Sequence, residues 1–194
     1  MFSMPPGSRS LLDYLYLPLS TFSNPQLLDP DLLHSVWGST YASLWFDAHR
    51  FFLPSDSEGV RRLGSAMLVL GLLPTAAFCA GFARGLRRAL RGDPVDVPLV
   101  ALVILSLAGF AAYTWRNPWF AVIKGTSLLG LCVPYAVYAS EALRGWIARG
   151  RAQATAIGAL LVLLAIGVTA SGTFNGLFER REVSGLQWER VPTP

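Results

Sequence analysis

The sequence predicts an all-α membrane protein with about four transmembrane helices, and three observations carry that prediction. Hydrophobic residues make up 53% of the chain and charged residues only 14%, whereas soluble domains carry about 25% charged residues. Mean hydropathy is strongly positive. The apolar residues also stand in long blocks that charge rarely interrupts, so they cannot all be the inner faces of amphipathic elements.

Crossing a hydrocarbon core takes about 20 apolar residues. Four blocks reach that length, at roughly 63–83, 97–115, 119–140 and 154–174. The first holds no charge, and the third is interrupted only by Lys124, the single lysine of the chain. The fourth lies in an apolar stretch from Ala152 to Phe178, longer than a crossing needs, so its end is expected to project from the bilayer. Pro74 and Pro134 fall inside the first and third blocks, and each is expected to kink its helix.

The net charge of +4 comes almost wholly from arginine, and the arginines flank the apolar blocks. Arg84, Arg87, Arg88 and Arg91 follow the first block; Arg144, Arg149 and Arg151 follow the third. The positive-inside rule assigns those two loops to the cytoplasm. Residues 1–62 then form an external segment with interfacial helices, 63–178 the transmembrane domain and 179–194 a mobile external tail. Met1–Gly7 has no basic stretch leading into an apolar run, so it does not read as a secretory signal. The external segment therefore needs another way across, and the layout predicts further transmembrane helices ahead of Met1 in the complete protein. An arginine pattern of this kind marks topology and attraction to anionic lipid, not nucleic-acid binding.

Within the external segment, Leu11–Leu19 is rich in leucine and tyrosine and predicts a short interfacial helix. Asn24–Pro25 and Asp29–Pro30 predict turns. Asp31 is placed to cap a helix from about Leu32. Along that helix Leu33, Val36, Trp37, Thr40, Tyr41 and Leu44 share one face, a stripe suited to the headgroup layer.

Lys124 is the residue that most invites a functional reading, because an ionisable group inside a membrane segment is costly. Its alternative is to snorkel to the headgroups. With Arg116 in the adjoining turn, two cations face one leaflet, a pair suited to phosphate. Asp47 and His49, in the run Trp45-Phe46-Asp47-Ala48-His49, have the chemistry for proton transfer; a metal role with His34 has no specific spacing behind it, and a divalent metal is not implied. Glu141 reads as the i,i+3 partner of Arg144. Cys79 and Cys132 lie in apolar segments and read as small core or lipid-facing residues. No phosphate-cradling loop, nucleophile elbow, dinucleotide fingerprint or zinc-protease motif is present.

Two stretches carry a family resemblance. One runs from Leu17-Pro18-Leu19 through Ser35-Val36-Trp37-Gly38-Ser39-Thr40-Tyr41-Ala42-Ser43-Leu44-Trp45-Phe46-Asp47; the other is Asn117-Pro118-Trp119-Phe120 through Lys124-Gly125-Thr126-Ser127-Leu128-Leu129. Together they resemble the C-terminal half of bacterial multi-spanning glycosyltransferases of the GT-C type, akin to the protein mannosyltransferase superfamily. In that family a basic residue opens a late helix in patterns such as Lys-Ala-Arg-Tyr-Leu; the stretch from Lys124 lacks the second basic residue and the aromatic. The resemblance implies a polyprenyl-phosphate-linked sugar donor and transfer on the external face of the plasma membrane. It implies that Lys124 and Arg116 hold the donor phosphate, and that Trp37, Tyr41 and Trp45, with Asp47 and His49 nearby, line the lipid or sugar side of a cavity. The family's catalytic base, an acidic residue in the first external loop, has no counterpart here. The chain is thus expected to be a donor-binding half that works with missing N-terminal helices; a non-enzymatic subunit packed in a larger membrane complex is the competing expectation.

Overall fold

The computed structural model of the chain describes residues 9–23, 34–46, 58–118 and 125–185; for 58, 60 and 171–185 it describes the backbone alone. All regular structure among these residues is helical. Five α-helices, here α1 (Val36–Trp45), α2 (Glu58–Ala89), α3 (Asp96–Arg116), α4 (Cys132–Ile147) and α5 (Arg151–Gly185), alternate with three 3₁₀ helices, η1 (Leu11–Tyr14), η2 (Leu19–Phe22) and η3 (Gly125–Leu131).

Three of these helices are long and apolar enough to cross a membrane: α2 over Arg61–Ala89, α3 over Asp96–Arg116 and α5 over Arg151–Ala170. They coincide with the first, second and fourth blocks of the sequence. Their outward faces are apolar, with Leu102, Ile104 and Leu105 on α3 and Val162, Leu163 and Ile166 on α5 all exposed. That is the surface lipid requires and water disfavours. Threonine hydroxyls on the helices bond back to the preceding turn, Thr75 to Gly71 O (2.8 Å) and Thr114 to Phe110 O (2.9 Å), so they carry no unmet polar group into the apolar layer. At its far end α5 continues through residues 179–185, into the stretch expected as tail.

The block at 119–140 differs from expectation. Residues 119–124 lie outside the described residues. Gly125–Leu131 winds as a 3₁₀ helix, and the α-helix starts only at Cys132 and runs 16 residues. Pro134 explains the change. It occupies the first turn of α4, where a missing N–H costs nothing; an α-helix running through residue 130 would set its ring against the Gly130 carbonyl. Gly125, Thr126, Ser127 and Gly130 add weak helix formers to the same stretch. Pro134 therefore starts a helix here instead of kinking one, whereas α2 runs on through Pro74.

The bundle is organised around α2, which packs against α1, α3, α4, α5 and η2. Its closest neighbour is α4. A Cβ placed on Gly81 would run into the Tyr138 backbone carbonyl, and one on Gly85 into the Tyr138 ring. Ala77, Ala139 and Ala142, all buried, continue the same seam. Small residues spaced four apart let two helix backbones approach, the usual solution where lipid supplies no hydrophobic drive for association. Tyr135 stacks on Phe78 beside the seam, with ring centroids 4.9 Å apart.

Two connections, Leu90–Val95 and Ala148–Gly150, close the hairpins α2–α3 and α4–α5 at one end of the bundle. Gly92 takes the positive φ (85°) that the first turn needs, and the Asp93 carboxylate accepts from the N–H groups of Val95 and Asp96 to open α3. At the opposite end α1, η1 and η2 gather about the helix ends, while η3 runs beside α3 and leads directly into α4. Ser35 caps α1 by accepting from Gly38 N (3.0 Å); Asp31, the expected cap, lies outside the described residues. Tyr14 of η1 shares a hydrogen bond with Thr114 of α3 (2.9 Å). Leu11, Leu12, Leu15 and Leu19 project outward, each at least 70% exposed.

Replacing Gly81 by alanine should destabilise the bundle by about 1–3 kcal/mol, the usual cost of overpacking. Gly158→Ala on α5, where an added Cβ meets nothing within 4 Å, should be neutral or slightly stabilising; thermal unfolding of both variants in detergent makes the comparison.

Candidate functional site

On α3 the residues Ser106, Gly109, Phe110 and Tyr113 recur at i, i+3, i+4 and i+7 and so share one face. Facing them are Ser127, Leu128 and Gly130 of η3, and between the two walls lies a groove of about 340 Å³. The groove exists because its walls are small: a Cβ at either Gly109 or Gly130 would meet nothing within 4 Å. Phe110 forms its packed floor, held by Val36, Trp37 and Leu128. Among the described residues the lining carries three hydroxyls, of Ser106, Tyr113 and Ser127, and otherwise apolar or glycine surface. Such a groove has the means to bind an apolar chain. Among the described residues no cluster of His, Cys, Asp and Glu has the makings of a metal site.

The residues singled out in the sequence divide among three places. Trp37 lies behind the groove, its ring 6.0 Å from that of Phe110. Arg116 is the last residue of α3, exposed, one turn beyond Tyr113 at the edge of the groove face. Tyr41 and Trp45 turn instead toward α2: the Tyr41 hydroxyl donates to Leu68 O (2.6 Å), and a Cβ on Gly71 would lie 2.7 Å from the Trp45 ring. The aromatic stripe expected in the headgroup layer is therefore packed, half-buried, between α1 and its neighbours. Lys124, Asp47 and His49 lie outside the described residues. The chain just after Lys124 is nevertheless firmly placed. Gly125 N donates to Ser43 Oγ of α1 (2.7 Å), and only a glycine fits there, since a Cβ would come within 2.9 Å of the Leu44 Cα.

A second polar cluster, at the hairpin end, was hidden in the sequence. The Arg88 guanidinium donates Nε and Nη2 to Asp96 and Nη1 and Nη2 to Glu141 (3.0 and 2.8 Å). The Tyr138 hydroxyl donates to Asp96 Oδ1 (3.0 Å), and Arg84 lies 3.7 Å from Glu141. Glu141 thus bonds across the helix seam to α2, not along α4 to Arg144 as the i,i+3 spacing suggested. The close α2–α4 approach brings a forked guanidinium within bidentate reach, which a helical neighbour cannot match. A sequence signal did exist: Gly81-Phe82-Ala83-Arg84-Gly85 is a small-xxx-small motif, and it marks the seam on which the cluster is built. Its two arginines and two carboxylates satisfy one another, so it reads as a clasp that joins three helices.

No protein-family model matches the chain, and no curated protein or solved structure is significantly similar to it.

Arg88→Met should destabilise the protein by about 2–3 kcal/mol. It strands the buried Asp96 carboxylate, and the value sits low in the range for broken buried pairs because Arg88 itself is partly exposed.

Proposed function

We propose that this chain is the donor-binding part of a membrane glycosyltransferase that uses a polyprenyl-phosphate-linked sugar on the external face of the plasma membrane. The groove between α3 and η3 carries the reading. It is a largely apolar slot on the flank of a membrane-crossing helix, its size and lining suit part of a prenyl chain, and Arg116 stands at the edge of its face. Lys124 precedes Gly125, which Ser43 pins to α1. In this reading the two cations hold the donor phosphate and stabilise the charge that grows on it as the sugar departs. Trp37 supports the groove through Phe110, and the catalytic base comes from helices outside this chain.

The same proposal sets the topology. Four crossings are counted by taking η3 and α4 together as one: seven 3₁₀ residues rise about 14 Å and 16 α-helical residues about 24 Å, enough for a core of about 30 Å. The arginine-rich hairpin end faces the cytoplasm, and the α1 layer and the end of α5 lie outside. The surroundings are the lipid bilayer and further membrane helices, in the same protein or a partner subunit; neither nucleic acid nor a divalent metal has a role.

One observation favours the competing reading, a non-enzymatic subunit of a larger membrane complex. Among the described side chains of α5, residues 151–170, Ile157 and Leu164 are the large ones that are buried, so most of the surface of that stretch is open to lipid or to partner helices.

Binding of a fluorescent polyprenyl phosphate to the full chain in detergent separates the two. Glycosyl-donor binding predicts saturable uptake, about tenfold weaker in Arg116→Ala and in Lys124→Ala, as befits loss of one charged hydrogen bond to phosphate. Gly130→Leu, which fills the groove, should weaken it further. Unchanged binding in all three variants would remove the groove reading, and copurification with a membrane partner would then favour the subunit reading.

A further inference from the structure

Among the described residues Arg9 is a buried cation without an acceptor. The residue is 5% exposed, and none of its guanidinium nitrogens reaches an acceptor. Among the described residues, the polar side chains that act on it electrostatically are Tyr14 and Asp13, and both are engaged elsewhere. The Asp13 carboxylate accepts from Ser10 N (3.0 Å) and Ser10 Oγ (3.3 Å) in a capping box that opens η1. The Tyr14 hydroxyl bonds Thr114 Oγ1 and the Ala111 carbonyl. Burial lowers the Arg9 pKa, with Tyr14 and Asp13 opposing, yet a guanidinium keeps its proton throughout the physiological range. A buried cation whose five N–H groups find no acceptor is strongly unfavourable, and an anion brought to it removes that penalty.

The surroundings indicate which anion. Arg9 stands one residue before Ser10, the N-cap of η1; Leu11 and Leu12 of η1 and Leu15 just after it face outward and are 72%, 70% and 81% exposed. Tyr14 seats η1 on the last turns of α3, with its ring 5.9 Å from that of Trp115. A leucine-covered turn at the end of a membrane-crossing helix lies where acyl chains meet headgroups. The anion abundant at that depth is the phosphate of a lipid.

We propose that Arg9 binds the phosphate of an anionic lipid headgroup, held between η1 and the end of α3. The guanidinium fork matches two phosphate oxygens, and turning the long, flexible side chain about its stem brings the buried head out to the headgroup layer. The site does not depend on glycosyl transfer: the lipid here is a component of the bilayer, and the groove between α3 and η3 plays no part in it.

The test is native mass spectrometry of the full chain in a neutral detergent with added phosphatidylglycerol, phosphatidylcholine or inorganic phosphate. The wild-type chain is expected to retain one tightly bound phosphatidylglycerol in preference to phosphatidylcholine. Arg9→Met should retain about tenfold less, Arg9→Lys an intermediate amount, and Arg149→Met, which removes an exposed charge at the hairpin end, as much as wild type. Equal retention by wild type and Arg9→Met, or no preference for phosphatidylglycerol, would overturn the proposal. Displacement of the lipid by millimolar inorganic phosphate would reassign the site to a soluble anion. Should Arg9→Met fail to fold, the thermal shift of the wild-type chain decides: a rise with phosphatidylglycerol but not with phosphatidylcholine supports the site, and equal shifts overturn it.

Discussion

The backbone contact between α2 and α4 at Gly81, Gly85 and Tyr138 is the constraint on which the rest of the bundle rests. In lipid two helices gain nothing by hiding apolar surface from each other, so they associate where close packing and hydrogen bonds are available. Glycine at 81 and 85 supplies the approach. Once the backbones meet, the Tyr138 ring lies over Gly85 with its hydroxyl on Asp96, and Glu141, one turn on, receives Arg88. The short turn at Gly92 returns Asp96 to the same place eight residues after Arg88. One seam therefore joins three helices, with small residues in its length and charges confined to its end. That placement is physically sensible, because the charged groups meet at the edge of the apolar layer, where their desolvation is partial.

The opposite end is organised differently. There α1, a ten-residue helix too short to cross a membrane, wedges between the ends of α2, α3 and η3. Val36 and Trp37 meet Phe110, Tyr41 and Trp45 meet α2, and Ser43 holds Gly125. Because Pro134 disfavours an α-helical path through residue 130, the wall of the groove is built from a 3₁₀ segment rich in small side chains. The groove is thus a consequence of the same features that shorten α4.

Much of the architecture was legible in sequence. The blocks at 63–83, 97–115 and 154–174 appear as α2, α3 and α5, since length and uninterrupted hydropathy are properties that neighbours do not alter. The block at 119–140 was less legible: hydropathy is blind to whether a chain winds as α or 3₁₀, and the decisive residue, Pro134, acts through a clash with a carbonyl four residues earlier. Of the proposed site, the sequence singled out Arg116 and Trp37, which lie by the groove, but also Tyr41 and Trp45, which point to α2. A stripe at helical spacing says which residues share a face, not what the face meets.

What the sequence determined by itself is therefore the class of environment and the stretches that enter it, because the free energy of placing apolar or charged groups in lipid is summed residue by residue along the chain. What only the tertiary structure decided is partnership. Glu141 had an arginine three residues away and took one 53 residues distant; Arg9 had an aspartate four residues on and was left without an acceptor. Hydrogen bonds depend on distances of a few tenths of an ångström, and those distances are set by how closely helices approach, which here turned on the absence of a Cβ at Gly81 and Gly85.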